Sequence, residues 1–222
     1  VMSLYIAEVV LSFFPELSSQ DKTEIIEFRT RKRGLPFDGR SRSEAVRDLR
    51  ITGENWYPSV SPTNFVGGKA LLVDGNPVIP LGGVANANIL YCNESGMYST
   101  YTSDEYGFHN PSKIWEEQKK FTTVFVGDSF TNGSCVMSGE GFVDRTRAIF
   151  PATVNLAATG NGPLSQLASI REYLQDRKLR FVFWVYFEGN DLSDLHNKEI
   201  KETILMRYYN ENEYSQGLIS SR

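Results

Sequence analysis

Apolar runs in the second half of the chain alternate with polar, glycine-containing loops. The runs at residues 121–126, 153–156 and 181–187 predict three strands, and residues 141–149 and 164–174 have helical spacing between them. Strand, helix, strand, helix, strand in this order predicts a parallel sheet with crossover helices. The third run is apolar on both faces, which predicts a central strand covered by helices on each side.

The first half of the chain has a different pattern. Residues 1–14 are almost entirely apolar, but the run is too short to cross a bilayer, so we expect either part of a truncated membrane anchor or a buried helix. The chain opens on valine, and we therefore expect it to begin partway through a longer protein. We divide it into an N-terminal apolar helix with a linker helix (1–33), a loop-rich, short-strand extension (34–113) and an α/β core (114–222).

Composition narrows the function classes. Hydrophobic residues make up 41% of the 222 residues, enough for one main core, and the net charge of −4 gives no basic field for nucleic acid. Two cysteines far apart and two histidines predict neither a metal site nor a cofactor. Cys92 and Cys135 either pair in an oxidising compartment or lie buried as free thiols.

Three loops follow the three predicted strands, at residues 127–129, 159–162 and 188–191. Ligands of open parallel sheets bind beyond the carboxyl ends of the strands. Ser129 lies where a strand turns into a helix, which would expose its hydroxyl near free backbone amides. Taken alone, Gly-Asp-Ser is a weak motif, because a serine N-cap after a turn aspartate is common in proteins of every function.

The same loops contain hydrogen-bond donors suited to acyl transfer, whose tetrahedral intermediate places negative charge on the carbonyl oxygen. Ser129 and Gly160 would each offer a backbone N–H, and Asn190 a side-chain amide. Asp128 and Asp191 are predicted as supporting residues. Each residue also has an ordinary structural explanation, as a turn or capping residue, but their joint appearance after three successive strands favours a site.

These blocks resemble the SGNH/GDSL hydrolase superfamily. Residues 103–111 also look like a stretch that precedes the serine block in some bacterial, envelope-associated members, which have arginine at the position of His109. The resemblance rests on Gly-Asp-Ser at 127–129, an Asn followed by a glycine loop at 155–160, and Glu-Gly-Asn-Asp at 188–191. It implies a three-layer parallel sheet of flavodoxin-like topology, with Ser129 as nucleophile and Ser129, Gly160 and Asn190 as oxyanion donors. Glu188 departs from the pattern, because the family has glycine there.

A larger departure concerns the general base, because a serine hydroxyl needs a histidine to accept its proton. The family takes that histidine from an Asp-x-x-His block far beyond the third block, and no such block precedes Arg222. His196 has Ser193 three residues before it, so we expect a helix surface residue, and we expect His109 to be a surface or packing residue. Either the block lies beyond Arg222, or catalysis has been lost.

The resemblance implies a serine esterase, acyl hydrolase or acyltransferase acting on small O-acyl (acetyl) esters, with an O-acetylated cell-envelope polysaccharide as one substrate. It would be extracytoplasmic or periplasmic and held to the membrane by its N-terminal helix. The alternative is a catalytically inactive SGNH-like subunit of a membrane-associated assembly. A third hypothesis is a carbohydrate-binding module, with an aromatic set of Trp56, Tyr57, Tyr91, Tyr98 and Tyr101.

Overall fold

The computed structural model describes residues 19–117, 120–175, 177 and 179–219. The apolar run at residues 1–14, and with it the expected membrane anchor, lies outside the described residues. The helices that are described are all too short or too polar to span a bilayer. The chain divides into two compact units, residues 1–39 with 93–97, and residues 40–92 with 98–222.

Among its described residues, the first unit contains one helix, α1 (Ser19–Lys32), close to the predicted linker helix. Two hydrogen bonds join the chain after it to the 93–97 segment. The Asp38 N–H donates to the Gly96 carbonyl over 2.6 Å, and the Asn93 amide donates to the Asp38 carbonyl over 2.8 Å. These bonds hold the segment after α1 against residues 93–97, although neither segment forms a strand.

The second unit begins with α2 (Arg42–Arg50), a helix that was not expected from the sequence pattern. A capping box starts it, because the Ser41 hydroxyl accepts from the Glu44 N–H and the Glu44 carboxylate accepts from the Ser41 N–H. Five strands of three residues follow, as the composition predicted. They are β1 (Trp56–Pro58), β2 (Leu71–Val73), β3 (Asn76–Val78), β4 (Asn88–Leu90) and β5 (Thr100–Thr102).

These short strands form two small sheets. β4 pairs with β1 in parallel and with β5 in antiparallel orientation, and β2 and β3 form a hairpin. A 3₁₀ turn, Pro62–Phe65, lies between β1 and β2.

The main sheet contains three parallel strands, β6 (Thr123–Gly127), β7 (Thr153–Asn155) and β8 (Phe181–Val185), in the order β7-β6-β8. The predicted α/β chain with a parallel sheet is therefore confirmed at this level. Six helices accompany the sheet in the described part of the chain. They are α3 (Ile114–Glu117), α4 (Ser129–Asn132), α5 (Phe142–Ile149), α6 (Pro163–Leu174), α7 (Asp191–Asn197) and α8 (Thr203–Asn210), with a 3₁₀ turn at Glu199–Lys201.

The middle strand, β6, is the centre of the core, and all five of its residues are buried. Val124 and Val126 lie in one hydrophobic cluster with Val154 of β7 and Leu164 of α6. β-Branched side chains fit such a pleated, covered surface well. This packing fixes the carboxyl ends of β6 and β7 at one edge of the sheet.

The prediction that 181–187 forms a covered central strand is wrong for the described residues. β8 lies at the edge of the sheet, and its first four side chains are between 45% and 60% exposed. One contact is well formed, since the ring of Phe183 stacks on Phe125 of β6 with centroids 4.9 Å apart. β6 takes the central position instead, because it is the strand with a partner on both sides.

Buried carboxylates hold the helices around the sheet. Glu199 accepts hydrogen bonds from the Leu164 N–H over 2.8 Å and the Ser165 N–H over 3.1 Å, at the start of α6. Free N–H groups at a helix start need such acceptors when they are buried. Glu172, within α6, accepts from the Tyr208 hydroxyl of α8 and from the Leu218 N–H. The C-terminal segment is thereby attached to α6.

A further buried carboxylate, Asp104, organises the segment before the main sheet. Its two oxygens accept from the Tyr106 and Phe108 N–H groups, both over 2.9 Å, and from the Asn110 amide and the Trp115 indole, both over 2.8 Å. Burial raises the pKa of Asp104, while these four donors act against that increase. The loop from 104 to 110 therefore has a defined conformation without regular secondary structure.

A disulfide joins Cys92, after β4, to Cys135, after α4, with a Cα–Cα distance of 5.1 Å. Of the two alternatives for these cysteines, the structure contains the paired form. The bond crosslinks positions 43 residues apart, and so connects the short-strand extension to the main sheet.

Replacing both cysteines, Cys92→Ala with Cys135→Ala, should lower the free energy of unfolding by about 4 kcal/mol, because the crosslink restricts a long loop of the unfolded chain. Urea unfolding of the variant and of wild type measures the difference. Reduced wild type is the control and should lose the same amount. Two thiols that alkylate freely in the unreduced native protein would contradict the bond.

Candidate functional site

The turn after β6 places Ser129 at the edge of the sheet. A side chain at Gly127 would overlap the Thr131 hydroxyl and the Val185 carbonyl, so the strand must end in glycine here. The helix that follows, α4, is a single turn, and Gly133 ends it in the left-handed conformation with φ 83°. The predicted strand-to-helix turn is present, although the helix is short.

Side chains, rather than helix length, hold α4 in place. The Asn155 amide donates to the Thr131 carbonyl over 2.8 Å, and the Asn132 amide donates to the Ala157 carbonyl over 3.1 Å. Nδ1 of His109 lies 2.8 Å from the Asn132 carbonyl, and it donates there because a carbonyl can only accept. The backbone beyond Ser129 is therefore tied to the loop after β7.

The same Asn155 is tied to the segment before the sheet. Its N–H donates to the Asn110 side-chain oxygen over 2.8 Å, and its carbonyl accepts from the Asn110 amide over 2.7 Å. The Arg147 guanidinium also donates to the Asn110 oxygen, over 2.7 Å. A continuous set of hydrogen bonds thus leads from Asp104 to the turn that contains Ser129.

The loops after the three strands of the main sheet meet at Asp128. Its Oδ1 accepts a short hydrogen bond from the Gly160 N–H, and its Oδ2 accepts from the Asn190 amide over 2.6 Å. The side chain of Asp128 is buried. The structure therefore brings Asp128, Gly160 and Asn190 together, and both donors point to the residue before Ser129.

Gly160 is restricted by both its conformation and its surroundings. Its φ of +79° lies in the left-handed region, and a Cβ would overlap the Thr63 methyl and lie 3.0 Å from the Ser61 hydroxyl. That hydroxyl also donates to the Thr159 carbonyl. The extension before the main sheet thus fixes the direction of the Gly160 N–H.

Asn190 and Asp191 shape the third loop. The Asn190 amide donates a second hydrogen bond, over 3.1 Å, to Asp194, which is 2.7 Å from the Lys198 ammonium. Asp191 is fully buried, and its carboxylate accepts from the Phe187 N–H over 2.8 Å. Burial raises the pKa of Asp191, and the neighbouring carboxylates add to this increase. Asp191 thus connects the end of β8 to α7.

Ser129 itself is half-buried. In the part of the chain that the structure describes, neither its hydroxyl nor its N–H has a hydrogen-bond partner. The next side chain, Phe130, is exposed, and its ring centroid lies 4.8 Å from that of Phe187. The hydroxyl of Ser129 is therefore free to contact a ligand beside an aromatic pair.

Neither of the two histidines is placed as a base for Ser129. His109 is buried, its ring stacks on Tyr101 at 4.2 Å, and its Nε2 lies 3.9 Å from the Asp144 carboxylate. Burial lowers the pKa of His109. His196 is exposed on α7, as expected for a helix surface residue. The described site combines a serine and two donors without a histidine.

Sequence reasoning missed three hydroxyl groups beside the site. The Tyr91 hydroxyl bonds to the Ser134 hydroxyl, which lies 2.9 Å from the Thr159 hydroxyl. Tyr91 and Ser134 each precede a cysteine of the disulfide. This adjacency is the one feature of the sequence that could have indicated that their hydroxyl groups lie close together. Burial raises the pKa of Tyr91 to about 12. These groups connect the disulfide to the loop of Gly160.

Asp194 was also missed, although it lies four residues after Asn190 on a predicted helix, where side chains meet. The aromatic set is half-buried or buried, and two of its members pack against each other, with the rings of Tyr91 and Tyr101 5.9 Å apart. No group of three or more potential metal ligands occurs within the described ranges.

Comparisons with known proteins gave no match. No family model matches the chain, and neither a curated protein nor a solved structure is significantly similar to it.

Burial of His109 makes stability depend on pH. Because its pKa is lower in the folded protein than the ordinary value near 6.5, the unfolded chain binds the proton more readily. The free energy of unfolding is therefore highest, as far as His109 is concerned, above about pH 6.5. It falls by up to about 1.4 kcal/mol per pH unit as the pH decreases towards the pKa of His109 in the folded protein.

The free energy of unfolding is measured between about pH 5 and 7.5 for wild type and for His109→Gln. The glutamine amide keeps a hydrogen-bond donor for the Asn132 carbonyl. The variant should show a shallower pH dependence, and the exposed control His196→Gln should follow wild type. Equal slopes for wild type and His109→Gln would refute the assignment.

Proposed function

We propose that this chain carries the nucleophile and the oxyanion donors of an SGNH/GDSL-type serine ester hydrolase or acyltransferase. The observation that supports it is the meeting of the Gly160 N–H and the Asn190 amide at Asp128, the residue before Ser129, from loops that follow three parallel strands. The proposal includes a flavodoxin-like, three-layer arrangement of the complete domain. Small O-acyl esters are the substrate class, with acetyl groups of a cell-envelope polysaccharide as the proposed physiological case.

In this proposal the Ser129 oxygen attacks the ester carbonyl carbon, and the carbonyl oxygen becomes negatively charged. The Ser129 N–H, the Gly160 N–H and the Asn190 amide would donate to that oxygen, which stabilises the transition state. The leaving alcohol departs when the tetrahedral intermediate collapses to an acyl-serine. The acyl group then passes to water or to an acceptor hydroxyl.

The proton of Ser129 needs an acceptor, and neither histidine of the chain contacts Ser129. His109 uses Nδ1 for the Asn132 carbonyl and faces Asp144 with Nε2. The proposal therefore requires a general base that neither His109 nor His196 supplies in this arrangement.

The disulfide supports the proposed extracytoplasmic, periplasmic location, because such bonds persist in oxidising compartments and are rare in the cytosol. Attachment to the membrane through the N-terminal helix belongs to the same proposal.

A second candidate function is a catalytically inactive subunit of a membrane-associated assembly. Two observations favour it: the two donors are bound to Asp128, and neither His109 nor His196 contacts Ser129. The two candidates share the fold and differ in the reactivity of one hydroxyl.

Ser129→Ala in the full-length protein should abolish turnover of p-nitrophenyl acetate, because the acyl group then has no acceptor. Ser193→Ala, which changes an exposed serine of α7, is the matched control and should retain wild-type turnover. A fluorophosphonate probe should label wild type at Ser129. Absence of labelling in the complete, folded protein would favour the inactive subunit, and unchanged turnover in Ser129→Ala would remove this residue from the mechanism.

Asn190→Ala should lower kcat about 10²-fold or more with little change in KM, because its amide is used mainly in the transition state. Steady-state kinetics with the same ester measure both constants. The control is Asn197→Ala, an exposed amide at the end of α7. A rise in KM with unchanged kcat would show that Asn190 binds the ground state instead.

A further inference from the structure

The hydrogens of the Gly160 N–H and of the Asn190 side-chain amide are all in use. Gly160 has one backbone N–H, and it is donated to Oδ1 of Asp128. Nδ2 of Asn190 has two hydrogens, and its two acceptors are Oδ2 of Asp128 at 2.6 Å and Oδ2 of Asp194 at 3.1 Å. Neither donor therefore has a hydrogen left for another acceptor while Asp128 stays in this position.

The orientation of the Asn190 amide is fixed by the charges around it. Both groups that face its Nδ2 are carboxylate oxygens, which can only accept when ionised. Turning the amide over would place its own oxygen against them. Its Oδ1 is buried on the other side and has no partner among the described residues. Both hydrogens of Nδ2 therefore face the two carboxylates.

We propose that Asp128 closes the donor pocket: its carboxylate occupies the place where the Gly160 N–H and the Asn190 amide would hold the oxygen of a bound ester. Asp128 is thus an internal competitor for the site, and a substrate must displace it. The identity of that substrate rests on the proposed function. The pocket itself, a site for a small carboxylate or other oxyanion, rests on the hydrogen bonds alone.

Because it is charged, the Asp128 carboxylate competes effectively with a neutral substrate ester for the two donors. Hydrogen bonds to an ionised carboxylate are shorter and about twice as strong as those to a neutral carbonyl. A neutral ester would therefore displace Asp128 poorly, whereas the negatively charged oxygen of the tetrahedral intermediate would match it in charge. Donors held in this way favour the transition state over the substrate, which is the condition for catalysis.

The surroundings keep external anions out while Asp128 is present. The carboxyl groups of Asp191 and Asp194 lie in the same loop region, and all three aspartates are buried. An added anion would meet like charges in a poorly solvated site, where their repulsion is strong. Removal of the Asp128 carboxylate removes one of these charges and also frees both donors.

The test uses acetate, which has the same functional group as the aspartate side chain. The backbone amide signal of Gly160 and the side-chain amide signals of Asn190 are followed by ¹⁵N NMR during an acetate titration. Asp128→Ala should bind acetate saturably and at least tenfold more tightly than wild type. Asp48→Ala removes the same charge from an exposed ion pair with Arg40 and should behave as wild type. Equal acetate binding by wild type and Asp128→Ala would overturn the proposal.

A second measurement uses wild type alone, so that it stands even if Asp128→Ala does not fold. A scalar coupling through the hydrogen bond between the Gly160 nitrogen and the Asp128 side-chain carbon should be detected, with the couplings between β6 and β7 as internal standard. Its absence while the standard is detected would overturn the proposal.

Neither readout needs turnover. Acetate binding without Ser129-dependent hydrolysis would therefore leave the closed pocket in place and reject only the enzyme. Hydrolysis by Ser129 without acetate binding in Asp128→Ala would reject only the pocket.

Discussion

A buried carboxylate that accepts four N–H groups, Asp104, is the interaction on which the rest of the structure depends. It fixes Asn110, and Asn110 in turn forms two hydrogen bonds with the backbone of Asn155 at the end of β7. The Asn155 amide then holds the Thr131 carbonyl of α4. Because an unpaired buried polar group costs roughly 1–3 kcal/mol, each member of this series needs the next. The position of the Ser129 turn is therefore determined outside the main sheet.

Buried carboxylates accept hydrogen bonds from loop N–H groups elsewhere in the structure as well. Most strands of this chain have three residues, so much of the buried backbone has no neighbouring strand to pair with. Carboxylates supply the acceptors instead: Glu199 at the start of α6, Glu172 for the C-terminal segment, and Glu202 for the N–H groups of Gly67 and Gly68. Asp128 does this for Gly160 and Asn190. Its position at the predicted donors is thus one instance of a general feature of the fold.

The sequence predicted those parts that depend on local periodicity. β6, β7 and α6 were found because their apolar spacing matches their burial, and the rule for parallel sheets correctly brought the loops of Gly160 and Asn190 together. Burial of β8 was predicted wrongly, because an apolar run shows which side chains can be covered and not whether a covering element is present. The Asp128 contacts were missed, because they join residues 32 and 62 positions apart and no spacing rule reports such pairs.

The two candidate functions differ in the position of one carboxylate. With Asp128 bound to both donors, the site is a structural hydrogen-bond network like that of Asp104, and Ser129 is only a half-buried turn residue. In the proposed enzyme, Asp128 would be displaced and the same two donors would hold the oxygen of an ester that Ser129 attacks, as in an oxyanion site. The surroundings of Asp104 and Asp128 differ in a way that would make Asp128 easier to displace. Asp104 has four donors and no described carboxylate partner. Asp128 lies near the carboxylates of Asp191 and Asp194. Repulsion between these carboxylates weakens the hold on Asp128, which has two donors where Asp104 has four.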